Sequence, residues 1–278
     1  FAIGTETWGS IVSPSTRCGA TGLRPTYGRV SRAGAMALSW SMDKIGPIAR
    51  SVEDCALVFD AIRGADPADP ATVDMPFSYR PEVDLRSLRI GYLEAAFAES
   101  GADSALGATA LDVLRGLGAD LVPVNFDFAT LGIDPYSLGF ILSAEAGAAF
   151  QELVLTGRDD ELVRQTRDAW PNVFRAAQFI PAVEYIQANR QRTLLMEMMA
   201  DLFTRVDVYV TPSFGGANLL VTNLTGHPQV VVPAGFLAED APHSISFVGQ
   251  LHDEATVLGV AKAFEGATEW HTMHPAGF

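Results

Sequence analysis

Gly4-Thr5-Glu6-Thr7-Trp8-Gly9-Ser10-Ile11 follows directly on Phe1-Ala2-Ile3, a short apolar strand feeding a turn of small residues that ends on a serine. A serine placed this way projects its hydroxyl into a cleft, while neighbouring amide N–H groups, uncovered by bulky side chains, face the same point. This is the layout of a nucleophile beside an oxyanion hole. Composition alone favours a plainer reading, in which Thr5, Thr7 and Ser10 are ordinary turn residues.

The residues after Ser10 shift that balance. The run continues Val12-Ser-Pro-Ser-Thr-Arg-Cys-Gly-Ala-Thr-Gly-Leu-Arg-Pro-Thr-Tyr-Gly-Arg-Val-Ser-Arg-Ala-Gly34, and Ser41-Met-Asp-Lys-Ile-Gly-Pro-Ile-Ala-Arg-Ser-Val-Glu-Asp54 follows. Together these segments strongly resemble the amidase signature family of serine amide hydrolases. The likeness extends more thinly through Asp207-Val-Tyr-Val-Thr-Pro212, Thr222-Asn-Leu-Thr-Gly-His-Pro228, Val232-Pro-Ala-Gly-Phe236 and Glu269-Trp-His271. It implies an α/β fold with a mixed β-sheet core covered by helices on both faces. It also implies that residues 1–278 form a single domain, read as N-terminally incomplete because Phe1 opens inside a strand.

The resemblance further implies how the serine is activated. In this family a neutral lysine withdraws a proton from a second serine, held beside a cis peptide, and that serine deprotonates the nucleophile. Ser10 matches the nucleophile, and the backbone N–H groups of Thr7, Trp8, Gly9 and Ser10 match the oxyanion hole. The lysine and the second serine belong to segments preceding this motif, so the 278 residues alone are expected to be inactive. Lys44 matches a structural stretch of the family and is assigned a surface or ion-pair role. Three positions depart from the common pattern: Glu6 stands for aspartate, Trp8 for glycine and Val12 for arginine. The Trp8 indole is expected to narrow the cleft or to wall it.

Composition narrows the function classes. The formal charge of −14, with Lys44 and Lys262 the only lysines, argues against a general nucleic-acid surface. No apolar run is long enough to span a bilayer, and no membrane partner is expected. Cys18 and Cys55 form neither a disulfide framework nor a metal-ligand spacing, which suits a reducing, cytoplasmic setting. The five histidines, His227, His243, His252, His271 and His274, lack the context of a triad, and their default roles are exposed or hydrogen-bonding. Neither a cofactor nor a metal is implied.

Periodicity predicts the remaining elements. Ser51 caps a helix from Val52 to Arg63 with apolar residues on one face, and residues 64–84, broken by prolines, read as an irregular surface connection. Strands are predicted at 88–93, 119–126, 206–211, 229–233 and 244–248, and helices at 104–117, 138–156, 159–177, 182–203 and 253–265. Met196, Met198 and Met199 fit core packing or a substrate channel. The leading function is an amidase acting on a small or medium amide. The alternatives are the glutaminase-bearing A subunit of a tRNA-dependent amidotransferase and a non-catalytic homologue. Expected partners are the amide substrate and the upstream segment, and a homo-oligomer is allowed.

Overall fold

The computed structural model describes residues 1–99, 104–237 and 241–274. Its centre is a mixed sheet of eight strands among the described residues, in the order β1-β3-β2-β7-β8-β6-β4-β5. The strands are β1 (Ala2–Glu6), β2 (Thr21–Arg24), β3 (Lys44–Ala49), β4 (Ile90–Leu93), β5 (Leu121–Val124), β6 (Val208–Pro212), β7 (Gln229–Phe236) and β8 (Pro242–Gly249). β4 runs parallel to β5 and β6, and the other pairings are antiparallel.

The helices are α1 (Val12–Arg17), α2 (Val52–Ile62), α3 (Glu94–Glu99), α4 (Ser104–Gly116), α5 (Phe128–Leu131), α6 (Phe140–Ala149), α7 (Gln151–Leu155), α8 (Trp170–Ala177), α9 (Ala182–Arg205), α10 (Asn218–Thr225) and α11 (Glu254–Gly266). α2, α4 and α11 cover one face of the sheet. There they bury Val208 and Val210 of β6, Val230 and Val232 of β7, and Ile245 and Phe247 of β8. α3, α9 and α10 pack on the other face against Tyr209 and Val248. Alternate residues of each strand therefore feed opposite cores, as the two-residue repeat of a strand requires. A further core beside α10 joins Met42, Ile141, Leu142, Phe174 and Leu195. No helix among the described residues is long and apolar enough to cross a membrane.

Local signals explain several boundaries. α2 starts at Ser51, whose Oγ accepts from the Asp54 N–H at 3.1 Å, and Val52, Cys55, Ala56 and Phe59 are its buried face. The predicted helix over 159–177 is mostly absent. Arg158–Glu161 is a single 3-10 turn, and α8 begins only at Trp170, followed by Pro171 at a first-turn position that a proline tolerates. The predicted helix over 138–156 breaks at Phe150, between α6 and α7. α1, α10, β2 and β3 had no prediction. α1 and α10 are only one to two turns long, too short for a hydrophobic period to stand out.

Candidate active site

The register of the first strands collects four polar side chains on one face. Glu6 pairs with Lys44 across β1 and β3, and Arg24 pairs with Gln229 across β2 and β7, all beneath α10. All four are buried. Glu6 is the hub. Its Oε2 accepts the N–H groups of Ile11 and Val12 at 2.8 and 3.0 Å, and its Oε1 accepts Arg24 Nη1 at 2.7 Å and Asn223 Nδ2 at 2.8 Å. Burial pushes the Glu6 carboxyl up, but the Arg24 charge and the hydrogen bonds from Arg24 and Asn223 outweigh it and hold the group below its usual range. An ionised carboxylate thus ties down the backbone on the far side of Ser10.

Ser10 sits at the end of that anchored turn, exposed, between β1 and α1. Gly9 has φ +100°, a conformation that L side chains rarely adopt, and a Cβ there would stand 3.3 Å from Leu219 Cδ1 of α10. The turn is closed by Ser13 N–H donating to Gly9 O at 2.7 Å and by Thr7 Oγ1 donating to Asp43 Oδ1 at 2.5 Å. The N–H groups of Trp8, Gly9 and Ser10 enter none of these bonds. Among the described residues Ser10 Oγ has no hydrogen-bond partner. Hydroxyl and amide donors are thus left available together at one place on the surface.

That place opens on a cleft of about 700 Å³. Thr5, Thr7, Ser10, Lys44 and Ile45 contribute one part of its lining, and the 32–43 loop another. Ala68, Asp69 and Pro70 add a third part, and Phe150, Leu153, Leu162, Trp170 and Phe174 form an apolar wall. The loop is fixed from behind by Glu145, which accepts Ser39 Oγ at 2.6 Å, Ser41 N–H at 3.0 Å, Ser41 Oγ at 2.7 Å and Tyr185 OH at 2.7 Å. Burial raises the Glu145 carboxyl, but these four donors more than offset it, so the group stays ionised.

A family model described as Amidase matches residues 1–219. The chain belongs to the amidase signature family. This amidase signature chain is 36% identical to the A subunit of the glutamyl-tRNA(Gln) amidotransferase of Roseiflexus castenholzii, an alignment covering 99% of the chain and 64% of that protein. It is 34% identical to an amidase of Pseudomonas putida, again over 99% of the chain and 64% of the relative. Among solved structures, the peptide amidase of Stenotrophomonas maltophilia superposes with a TM-score of 0.78 at 29% identity, covering 96% of the chain and 62% of that protein. The chain therefore spans just under two thirds of the length of the relatives it matches. The mixed sheet with helices on both faces is the fold that the resemblance implied.

Two sequence expectations about this amidase signature chain are corrected by the structure. Lys44 is neither at the surface nor in an ion pair: it is 2% exposed, and its Nζ donates to the carbonyl oxygens of Met42 and Asn223. Burial, reinforced by the positive charge of Arg24, drives its pKa well below the ordinary lysine value. The Trp8 indole lies against Gly139, where an added Cβ would come within 3.2 Å of the ring, and it does not line the cleft.

The methionines divide: Met199 is core, Met198 is half-buried, and Met196 is 40% exposed and away from Ser10. His227 is buried, stacked at 5.2 Å on Phe203 and hydrogen-bonded through Nδ1 to Thr225 Oγ1 at 2.8 Å. It plays no part in the cleft. Sequence reasoning missed Arg24 and Asn223 as supports of the Ser10 turn. The one available signal was a pair of charged residues, Glu6 and Arg24, in short segments otherwise apolar or small.

Proposed function

We propose that the chain is the nucleophile-bearing part of a serine amide hydrolase, acting on carbon–nitrogen bonds other than peptide bonds in a small or medium amide. The reading is carried by the Glu6-anchored turn, which leaves the Ser10 hydroxyl and the adjacent N–H groups unengaged at a cleft. Ser10 Oγ attacks the amide carbonyl, forming a C–O bond and a tetrahedral oxyanion. The N–H groups of Thr7, Trp8, Gly9 and Ser10 are the donors assigned to that oxyanion. Collapse breaks the C–N bond, the amine leaves with a proton, and water opens the acyl-enzyme ester to regenerate the hydroxyl.

The base is not assigned to either lysine of the chain. Lys44 faces the carbonyls under α10, and Lys262 pairs with Glu265 at 2.9 Å. The lysine and cis-serine of the family relay are expected from residues outside the 278, in a protein working in the cytoplasm. The test is covalent labelling of the full-length protein with a fluorophosphonate, followed by peptide mass spectrometry. An adduct on Ser10 is expected, and hydrolysis that persists with Ser10 unmodified would remove it as nucleophile.

A second reading, the glutaminase-bearing component of a tRNA-dependent amidotransferase, is favoured by the 36% identity to the A subunit from Roseiflexus castenholzii. Glutaminase activity measured with and without partner subunits separates the two. Activity on glutamine that appears only in the complex would support the second.

A further inference from the structure

We propose that the cleft beside Ser10 takes the apolar acyl group of a neutral amide, and that Phe150, Leu153, Leu162, Trp170 and Phe174 select it. This rests on Ser10 being the nucleophile. The wall is built before any substrate arrives. Phe150 and Phe174 stack at 4.8 Å with 19° between planes, and Trp170 stacks on Phe174 at 5.6 Å and 26°. Phe174 is rooted in the core beside α10, while Trp170 remains 44% exposed. Arg175, on the same helix, holds the 158–161 turn through Asp159 and Asp160, which fixes the segment carrying Leu162.

The charges in the cleft argue against an amino-acid substrate. Arg32 is taken by Asp69, with Nε to Oδ2 and Nη2 to Oδ1 both at 2.9 Å, and its Nη1 donates to Trp40 O at 2.6 Å. Asp43 accepts Thr7 Oγ1 through Oδ1, and the N–H groups of Leu38 and Ser39 through Oδ2 at 2.8 and 2.9 Å. Lys44 is held by Met42 O and Asn223 O. Every charged side chain among the lining residues is therefore already hydrogen-bonded within the protein, and Arg32 and Asp69 also neutralise each other. A free α-carboxylate entering here would lose its water and find Arg32 already occupied by Asp69. An alkyl or aryl group gains instead, by about fourfold in rate or binding per buried methylene at full burial. A cleft of about 700 Å³ has the size of a site for a medium acyl chain.

The test is the rate of Ser10 adduct formation on the full-length protein with alkyl fluorophosphonates graded from methyl to octyl. These probes have no amine leaving group, so only the alkyl arm varies. The rate is expected to rise by roughly two- to fourfold for each of the first several methylenes, by the same burial scale. Trp170→Ala should slow the octyl probe about tenfold, and Trp170→Phe should restore most of the rate. Leu153→Thr, at a half-buried position, is a second variant that should lower the octyl rate about threefold should Trp170→Ala melt early. Adducts on Ser10 that form at one rate regardless of chain length overturn the acyl pocket and leave the nucleophile standing. Absence of any Ser10 adduct in a preparation that hydrolyses amides overturns the nucleophile itself. Faster hydrolysis of L-glutamine than of hexanamide also overturns the apolar assignment.

Discussion

Glu6→Gln tests whether the buried carboxylate holds the Ser10 turn. The change keeps the side-chain shape and removes one charge. Glu6 is fully buried and accepts four donors, two from the turn backbone and one each from Arg24 and Asn223. A glutamine offers one oxygen and one NH₂. Whichever way the amide is turned, its NH₂ meets either the Ile11 and Val12 N–H groups or the Arg24 and Asn223 donors. Arg24, itself fully buried, is also left without its counter-charge.

Breaking a buried ion pair from one side costs about 3–5 kcal/mol. At roughly 2–4 °C per kcal/mol for a domain of this size, the melting temperature should fall on the order of 10 °C. Urea unfolding of wild type and variant measures the loss, and a value under about 1 kcal/mol would refute the argument. Adding Arg24→Met removes the stranded charge, so the double variant should be more stable than the sum of the single losses predicts, by at least about 1 kcal/mol. The pH dependence has a definite sign. The folded pKa of Glu6 lies below its ordinary value of 4.5, so its contribution is complete above that pH and is lost as pH falls below it. Glu6→Gln should flatten the acid limb of the stability curve in that window.

Gly9→Ala places a Cβ on a residue at φ +100° and 3.3 Å from Leu219 Cδ1, which should cost about 1–3 kcal/mol and slow Ser10 labelling, read by chemical unfolding and probe kinetics. Burial, with Arg24 nearby, pulls the His227 pKa down from 6.5 to about 3, so the folded ring stays neutral while the unfolded chain takes up a proton. The stability it contributes is present above pH 6.5 and lost progressively toward pH 3, and an NMR titration should show no His227 inflection above about pH 4. A His227 midpoint near its ordinary value of 6.5 would refute the buried placement.

Much of this protein was legible along the chain because the signals are local. A strand running into Thr7-Trp8-Gly9-Ser10 needs only the positive-φ Gly9 to turn the chain and expose the serine. Ser51 and the apolar spacing behind it specify α2, and Asp253 caps α11 by accepting from the Thr256 N–H at 3.3 Å. The 159–177 stretch was misread because Trp170, Val173 and Phe174 have helical spacing, while Arg158–Glu161 forms only a tight turn held by Arg175.

What the sequence alone determined is the presence and position of the exposed Ser10 turn and the alternation of strands and helices around it. The tertiary structure decided what supports that turn and what faces it. Asn223 reaches Glu6 across 217 residues of chain, and Phe150, Trp170 and Phe174 meet Ser10 in one cleft only because the tertiary fold brings the α6–α8 segment beside the 32–43 loop. Lys44 reads as a surface residue until β3 is paired with β1 and α10 is laid above it. Periodicity reports which face of an element is apolar. Whether a charge is buried, and beside what, depends on partners brought from elsewhere in the chain.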